Sequence, residues 1–281
     1  MRRRFPAVIA AALVATLVYA APAGAERVLE RSYRSAALGG TERYSVYLPA
    51  GYGTSGRRYP VIYALHGLPS DAGGYRNVPI AAWGAVAEAA GRPAIVVAPQ
   101  GARAGDSDPE WHDWGPGRDW ETAVAVELVG RIDREYRTLR GRRGRALIGT
   151  SAGGYGAALI GLHHLSTFSV IQSWSGYFHA TNPDGTGPMD LGSPLADLVA
   201  SAHAFVPLLP RWFLIWEPTY FGFYIGDQDD RFLAENRQLD RELRAAHVTH
   251  HFAVYSGGHS GALWSAHART WIRRALHELE D

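Results

Sequence analysis

Two five-residue runs, 61–65 (Val-Ile-Tyr-Ala-Leu) and 94–98 (Ala-Ile-Val-Val-Ala), are apolar without a break. A strand with one wetted face would alternate. A strand that is apolar throughout must be covered on both faces, and that is the signature of a parallel sheet sandwiched between helices. The rest of the chain agrees. Residues 44–48 alternate with period two, and 145–149, 168–174, 221–225 and 249–255 read as further strands. Between them, Trp120, Val124, Leu128, Ile132 and Tyr136 fall at four-residue steps along one helical stripe, with Asp119 placed to cap or charge its start. Residues 152–163, 231–246 and 263–276 read as helices. Strands that alternate with helices predict an α/β fold with a mostly parallel central sheet and helices on both faces. Two stretches carry no periodicity, 101–117 and 179–218, and long loops of this kind usually line a site or cover one.

The first 25 residues stand apart. Arg2, Arg3 and Arg4 precede an uncharged Ala/Val/Leu-rich stretch over 5–21, then Pro22 and Ala23-Gly24-Ala25, a small-residue cleavage site. This predicts a signal peptide over 1–25 and an exported domain over 26–281, with no stable membrane insertion once the signal is removed. The arginine pair also loosely matches a twin-arginine signal, so either export route fits. Without those three arginines the chain carries 25 Lys+Arg against 27 Asp+Glu, a net charge of −2. Charges of both signs are scattered, which leaves no footprint for nucleic acid. The absence of cysteine excludes a disulfide framework, a thiolate zinc site and a thiol nucleophile together.

Chemistry is expected in the loops that follow strands. Gly149-Thr150-Ser151-Ala152-Gly153 is a G-x-S-x-G turn between a predicted strand and a predicted helix. A serine hydroxyl needs a base to take its proton, and the base needs a carboxylate to orient it. In a strand–turn–helix setting both partners come later in the chain. His259 lies in Ser256-Gly257-Gly258-His259, directly after the strand that ends at Tyr255. The acid is expected after the 221–225 strand, where Asp227, Asp229 and Asp230 all stand; position alone does not rank them, and the two not used would be free to cap the following helix. The cluster does not fit a calcium loop, since its sixth and twelfth positions are Phe232 and Gln238. Backbone donors for an oxyanion are expected at Ala152 and, after the 61–65 strand, at Leu68. His250 and His251 are strand neighbours that point to opposite faces, and His163 and His164 end a helix at its negative pole. No ligand spacing is present, so neither a metal nor another cofactor is expected.

His66-Gly67-Leu68, the run from Gly149 to Gly156, Gly226-x-x-Asp229 and Gly257-Gly258-His259 together resemble the putative esterase family of α/β-hydrolases. That family includes S-formylglutathione hydrolase (esterase D), feruloyl esterases, enterochelin-esterase-like proteins and mycobacterial mycolyltransferases. The resemblance runs from about Tyr44 to Leu276. It implies an α/β-hydrolase fold, Ser151 as nucleophile, His259 as base, and Asp229 as acid because the family's acid is the Asp of Gly-x-x-Asp. It departs at one point: many members carry an aromatic two residues after the histidine, where this chain has Gly261, so the wall beside the base is expected to be more open. The implied activity is an exported serine carboxylic-ester hydrolase working through an acyl-enzyme. Its substrate would be a small-molecule ester or a glycan or lipid ester. The alternatives are an acyltransferase that delivers the acyl group to a sugar hydroxyl, and a non-catalytic carbohydrate- or lipid-binding relative. His66, Trp111, Trp114, Tyr155 and Trp264 are the candidate substrate contacts.

Overall fold

The computed structural model describes residues 27–69, 71–106, 109–182 and 187–280; the expected signal peptide lies outside them. Eight strands form one sheet in the order β1-β2-β4-β3-β5-β6-β7-β8. They are β1 (Val28–Ser35), β2 (Gly40–Tyr47), β3 (Val61–Leu65), β4 (Ile95–Pro99), β5 (Arg145–Thr150), β6 (Val170–Trp174), β7 (Tyr220–Gly226) and β8 (His251–Tyr255). Only β1 and β2 run antiparallel to their neighbours; β4 through β8 pair in parallel, with Leu65 opposite Gly149 and Gly149 opposite Ser173. Parallel pairing puts the carboxyl ends of β3, β5, β7 and β8 on one edge, where α/β sheets bind ligands. All four loops that the sequence marks for chemistry emerge there.

The helices are α1 (Ile80–Ala89), α2 (Trp120–Thr122), α3 (Val129–Glu135), α4 (Ala152–His163), α5 (Pro194–Val199), α6 (Ala202–Phe205), α7 (Leu209–Ile215), α8 (Leu233–Ala245) and α9 (Gly261–Glu278). Alternate residues of the buried strands serve opposite cores, as a period of two requires. Ile62, Ala64, Val96 and Ile148 pack with Trp83 of α1 and Ile272 of α9. Val61, Tyr63, Val97 and Leu147 pack with Val124, Ile132 and, from α4, Ile160. Each such aliphatic side chain gains about 1.5–3 kcal/mol on full burial, so both faces of the sheet are held by the same strands.

Three sequence expectations change. The 179–218 stretch is not irregular throughout, since it contains α5, α6 and α7. Asp119 does not cap the helix it precedes; its Oδ1 accepts from the Gly115 amide at 2.8 Å, while Asp113 Oδ1 accepts from the Thr122 amide at 3.0 Å. Asp227 and Asp230 do not cap α8, whose start carries no side-chain bond.

One acid sits inside the sheet. Glu42 is fully buried, and Tyr33 directly across the β1–β2 pair donates its hydroxyl to Glu42 Oε2 at 2.5 Å. Burial pushes the Glu42 carboxyl up to about 8, against the pull of the Tyr33 bond. Between the ordinary value and about 8 the folded chain therefore holds a proton that the unfolded chain has released, so stability falls as pH rises through that window. Glu42→Gln is expected to melt about 3 °C or more above wild type at pH 8.5, with the gap closing toward pH 4.5. Melts across pH check this, and a gap independent of pH would sink it.

Candidate active site

The turn from β5 into α4 places Ser151. Its backbone sits at φ 55° and ψ −124°, a conformation a residue with a Cβ adopts only when its surroundings impose it. Here the imposed contacts are visible. The Ser151 amide donates to the Trp174 carbonyl at 2.9 Å, and the Ser151 carbonyl accepts from the Gly154 amide at 2.8 Å. The turn is so tight that a Cβ on Gly149 would strike the Gly153 carbonyl, and one on Gly153 would strike the Leu65 carbonyl. Glycine at both flanks is thus a packing requirement of the turn, and the turn lifts the serine hydroxyl above the sheet edge.

His259 comes from the loop after β8 and Asp229 from the loop after β7. Asp229 is 2% exposed, and its Oδ2 stands 2.6 Å from His259 Nδ1; His259 Nε2 stands 2.8 Å from Ser151 Oγ. With Nδ1 donating to the carboxylate, Nε2 is left with a lone pair for the serine proton. The imidazole is held edge-on between Phe232, with ring centroids 5.5 Å apart, and Trp264, at 5.4 Å. Of the three aspartates left open by the sequence, Asp229 is the one that reaches His259. Asp227 instead accepts the Gly257 amide at 2.9 Å, and the Gln228 amide donates to the Gly257 carbonyl at 2.9 Å. These two bonds tie the acid's loop to the base's loop. Asp230 is exposed.

Ala152 opens α4, so its amide is among the four that an α-helix leaves without an internal partner. The loop after β3 lies against the serine from the other side: a Cβ on Gly67 would come within 2.8 Å of Ser151 Cβ. Leu68 follows directly. The two expected oxyanion donors thus flank Ser151.

The five candidate substrate contacts divide. His66 and Trp264 line a cavity of about 500 Å³ that also touches Gly67, Leu68 and Thr150. Trp111, Trp114 and Tyr155 do not line it. Trp111 is 1% exposed and packs edge-on behind His66, with ring centroids 5.1 Å apart. Trp114 donates its Nε1–H to the Pro109 carbonyl at 2.8 Å and packs on the Leu38–Trp120 cluster. Tyr155 is fully buried, stacks on Tyr177 at 5.0 Å, donates to the Ala200 carbonyl at 2.8 Å and meets His112 Nε2 at 2.5 Å. These rings support the loops around the site. The expected opening at Gly261 is present: a Cβ there would meet nothing within 4 Å, and Gly261 lines the cavity.

Sequence reading missed how the segment after β6 is anchored. His163 Nδ1 and His164 Nε2 both meet Glu121 Oε1, at 2.9 and 2.8 Å, rather than relying on the helix pole alone. Burial opposes ionisation of Glu121, but the two histidine bonds prevail and hold it at about 2. His163 Nε2 also meets the Val199 carbonyl at 3.1 Å, at the end of α5. Glu235 of α8 takes His179 at 2.5 Å, while Glu242 takes His203 at 2.5 Å. His112, buried beside Tyr155, is pushed down to about 4 by desolvation and so stays neutral there. His250 and His251 do face opposite ways, toward Phe223 and Trp271 respectively. Among the described residues no group of three or more His, Cys, Asp or Glu is arranged to hold a metal ion, and no helix is long and apolar enough to cross a membrane.

Comparison with known proteins agrees with this architecture. The family described as "Putative esterase" matches residues 35–209. Esterase Rv1288 of Mycobacterium tuberculosis is 37% identical over 152 residues, which make up 51% of this chain and 31% of that protein. The match therefore spans about a third of the length of that relative. Among solved structures, a ferulic acid esterase superposes with a TM-score of 0.73 at 23% identity, over 90% of this chain and 98% of that one. An S-formylglutathione hydrolase from Agrobacterium tumefaciens superposes with a TM-score of 0.74 at 16% identity, over 90% and 95%.

Proposed function

The chain belongs to the putative-esterase family of α/β-hydrolases, and on that premise we propose that it is an exported serine carboxylic-ester hydrolase with Ser151, His259 and Asp229 as its triad. The observation that carries the reading is the unbroken hydrogen-bond chain from Asp229 Oδ2 through His259 to Ser151 Oγ, 2.6 and 2.8 Å long. A binding protein has no use for a serine held at φ 55° against an imidazole backed by a buried carboxylate.

In this reading Ser151 Oγ attacks the ester carbonyl carbon as its proton passes to His259 Nε2. Asp229 keeps the resulting imidazolium oriented and compensates its charge. The carbonyl oxygen, now negative, receives hydrogen bonds from the Leu68 and Ala152 amides, backed by the positive pole of α4. Collapse breaks the bond to the alcohol, which leaves with the proton from Nε2, and the acyl group remains on Ser151. Water then repeats the sequence: its proton goes to Nε2, its oxygen to the acyl carbon, and Ser151 departs as the hydroxyl.

The test is a fluorophosphonate probe, which phosphonylates an activated serine, followed by mass spectrometry. One adduct on Ser151, alongside hydrolysis of p-nitrophenyl acetate, is the expected result, and the intact mass reports whether the secreted chain begins at Glu26. Folded protein that forms no adduct and turns over no ester would overturn the assignment.

A further inference from the structure

The cavity beside Ser151 has a shape that the triad does not require. Neither Ser151 nor His259 lines it, but Gly67, Leu68 and Thr150, immediate neighbours of the serine, do, and the rest of its lining comes largely from α1 and α9. On α9 the lining residues fall at 261, 264, 265, 268, 269 and 272, a single helical face. At 1.5 Å per residue that face extends about 16 Å from the base's loop. Across from it, Val78, Ala82, Trp83 and Val86 form the other wall, and Trp174 at the end of β6 lies at the bottom. The walls are mostly apolar, with His66, Asn77, Thr150, Ser265 and Arg269 interspersed, and the volume of about 500 Å³ falls in the range of small-molecule sites.

Building on the esterase reading, we propose that this cavity is the acyl pocket and that the enzyme selects esters with an aliphatic acyl chain of several carbons. Two arguments point to the acyl group rather than the alcohol. The acyl group is the part that stays on Ser151 through both halves of the reaction, so it can occupy a deep compartment, whereas the alcohol must leave before water can enter. The lining is also predominantly hydrocarbon, and its few polar residues, His66, Asn77, Thr150, Ser265 and Arg269, fall short of the paired donors and acceptors that a polyhydroxylated alcohol would demand all round when desolvated. Gly261 and Leu68 both line the cavity, and the space beyond the Gly261 Cα is open. An aromatic side chain at 261 would fill that space, and in this chain Trp264, one turn further on, supplies the ring against His259.

The experiment measures kcat/KM for p-nitrophenyl acetate and p-nitrophenyl hexanoate, and separately for ethyl acetate and hexyl acetate by pH-stat. The wild type is expected to favour hexanoate over acetate by about tenfold or more, since each buried methylene adds to transition-state binding. Ala268→Phe, which fills the middle of the cavity, is expected to lower the hexanoate-to-acetate ratio by about tenfold or more; Ala268→Val, with its smaller added volume, gives the same shift in weaker form if the phenylalanine does not fold. The hexyl-to-ethyl ratio for the acetates should not move with either variant. Equal rates for acetate and hexanoate, unchanged by the variants, would overturn the pocket while leaving the esterase reading intact. A shift in the hexyl-to-ethyl ratio instead would assign the cavity to the alcohol and overturn the proposal. Absence of both turnover and fluorophosphonate adduct in the wild type would fail the esterase reading itself.

Discussion

Ser151→Ala is expected to lower kcat on p-nitrophenyl acetate by about 10⁶-fold, the scale seen when a triad nucleophile is removed. The substitution deletes the only atom that can form the acyl-enzyme, and what survives is catalysis by the oxyanion donors and by binding. Its structural cost is small. Alanine keeps the Cβ, so the backbone at φ 55° is as constrained as before, and the amide and carbonyl bonds to Trp174 and Gly154 do not involve the side chain. His259 Nε2 loses its partner at 2.8 Å, and a water in place of the hydroxyl would supply the same hydrogen bond. The melting temperature is therefore expected within a few degrees of wild type. Fluorophosphonate labelling should vanish with the activity. Wild-type turnover by a folded Ser151→Ala protein would mean that another group carries the reaction.

Much of this architecture was legible because the buried strands advertise themselves. β3 spans Val61–Leu65 and α4 spans Ala152–His163, the same limits the apolar run and the glycine-flanked serine predicted. The 120–136 stripe holds a subtler lesson. Four-residue steps advance 400° on a regular helix and should drift off one face. They stay on it here because residues 123–128 form a π-helical turn, wider than an α turn, and Trp120, Val124, Leu128 and Ile132 are all fully buried. β1 could not be read in the same way. It is an antiparallel edge strand, most of its residues are exposed, and an edge has no need of alternating apolar residues. α1 was equally silent, because its exposed positions are alanines, Ala81, Ala82, Ala85 and Ala89, so the buried face of Ile80, Trp83, Gly84 and Ala87 has no polar face to stand out against.

The site divides along a similar line. Ser151 and His259 are fixed by turns whose glycines are visible in the sequence. The choice among Asp227, Asp229 and Asp230 depends on where three short side chains point after a strand ends, and no pattern encodes that direction. That Trp111, Trp114 and Tyr155 lie away from the cavity was hidden for a related reason. An aromatic beside a Gly/Pro-rich loop looks the same whether it faces a ligand or a core, and the partners that bury these three, among them Leu38 and Tyr177, come from distant parts of the chain. The carboxylate–histidine clamps at Glu121, Glu235 and Glu242 were invisible because each joins residues 39 to 56 positions apart.

The acid should show the clearest separation between activity and stability. Asp229→Asn is expected to lower kcat by about 10⁴-fold, the loss seen when a triad carboxylate becomes an amide. The amide can keep a hydrogen bond to His259 Nδ1 only if its oxygen faces the ring, and it offers no charge to the imidazolium. If its nitrogen faces the ring, the proton moves to Nε2, which can then no longer accept from Ser151 Oγ. The fold gains from the same change. Asp229 is 2% exposed, Oδ2 bonds His259, and Oδ1 has no hydrogen-bond partner among the described residues. A buried carboxylate with one oxygen unanswered is expensive, and a neutral amide removes most of that cost. Asp229→Asn is therefore expected to melt at or above the wild-type temperature while nearly inactive, as a group strained for its task should. Asp227→Asn and Asp230→Asn provide the contrast. Asparagine at 227 can still accept the Gly257 amide through its oxygen, and 230 faces solvent, so each should keep kcat within a few-fold of wild type. A loss of about 10⁴-fold at either of those positions, with Asp229→Asn active, would move the acid and dissolve the hydrogen-bond chain on which the mechanism stands.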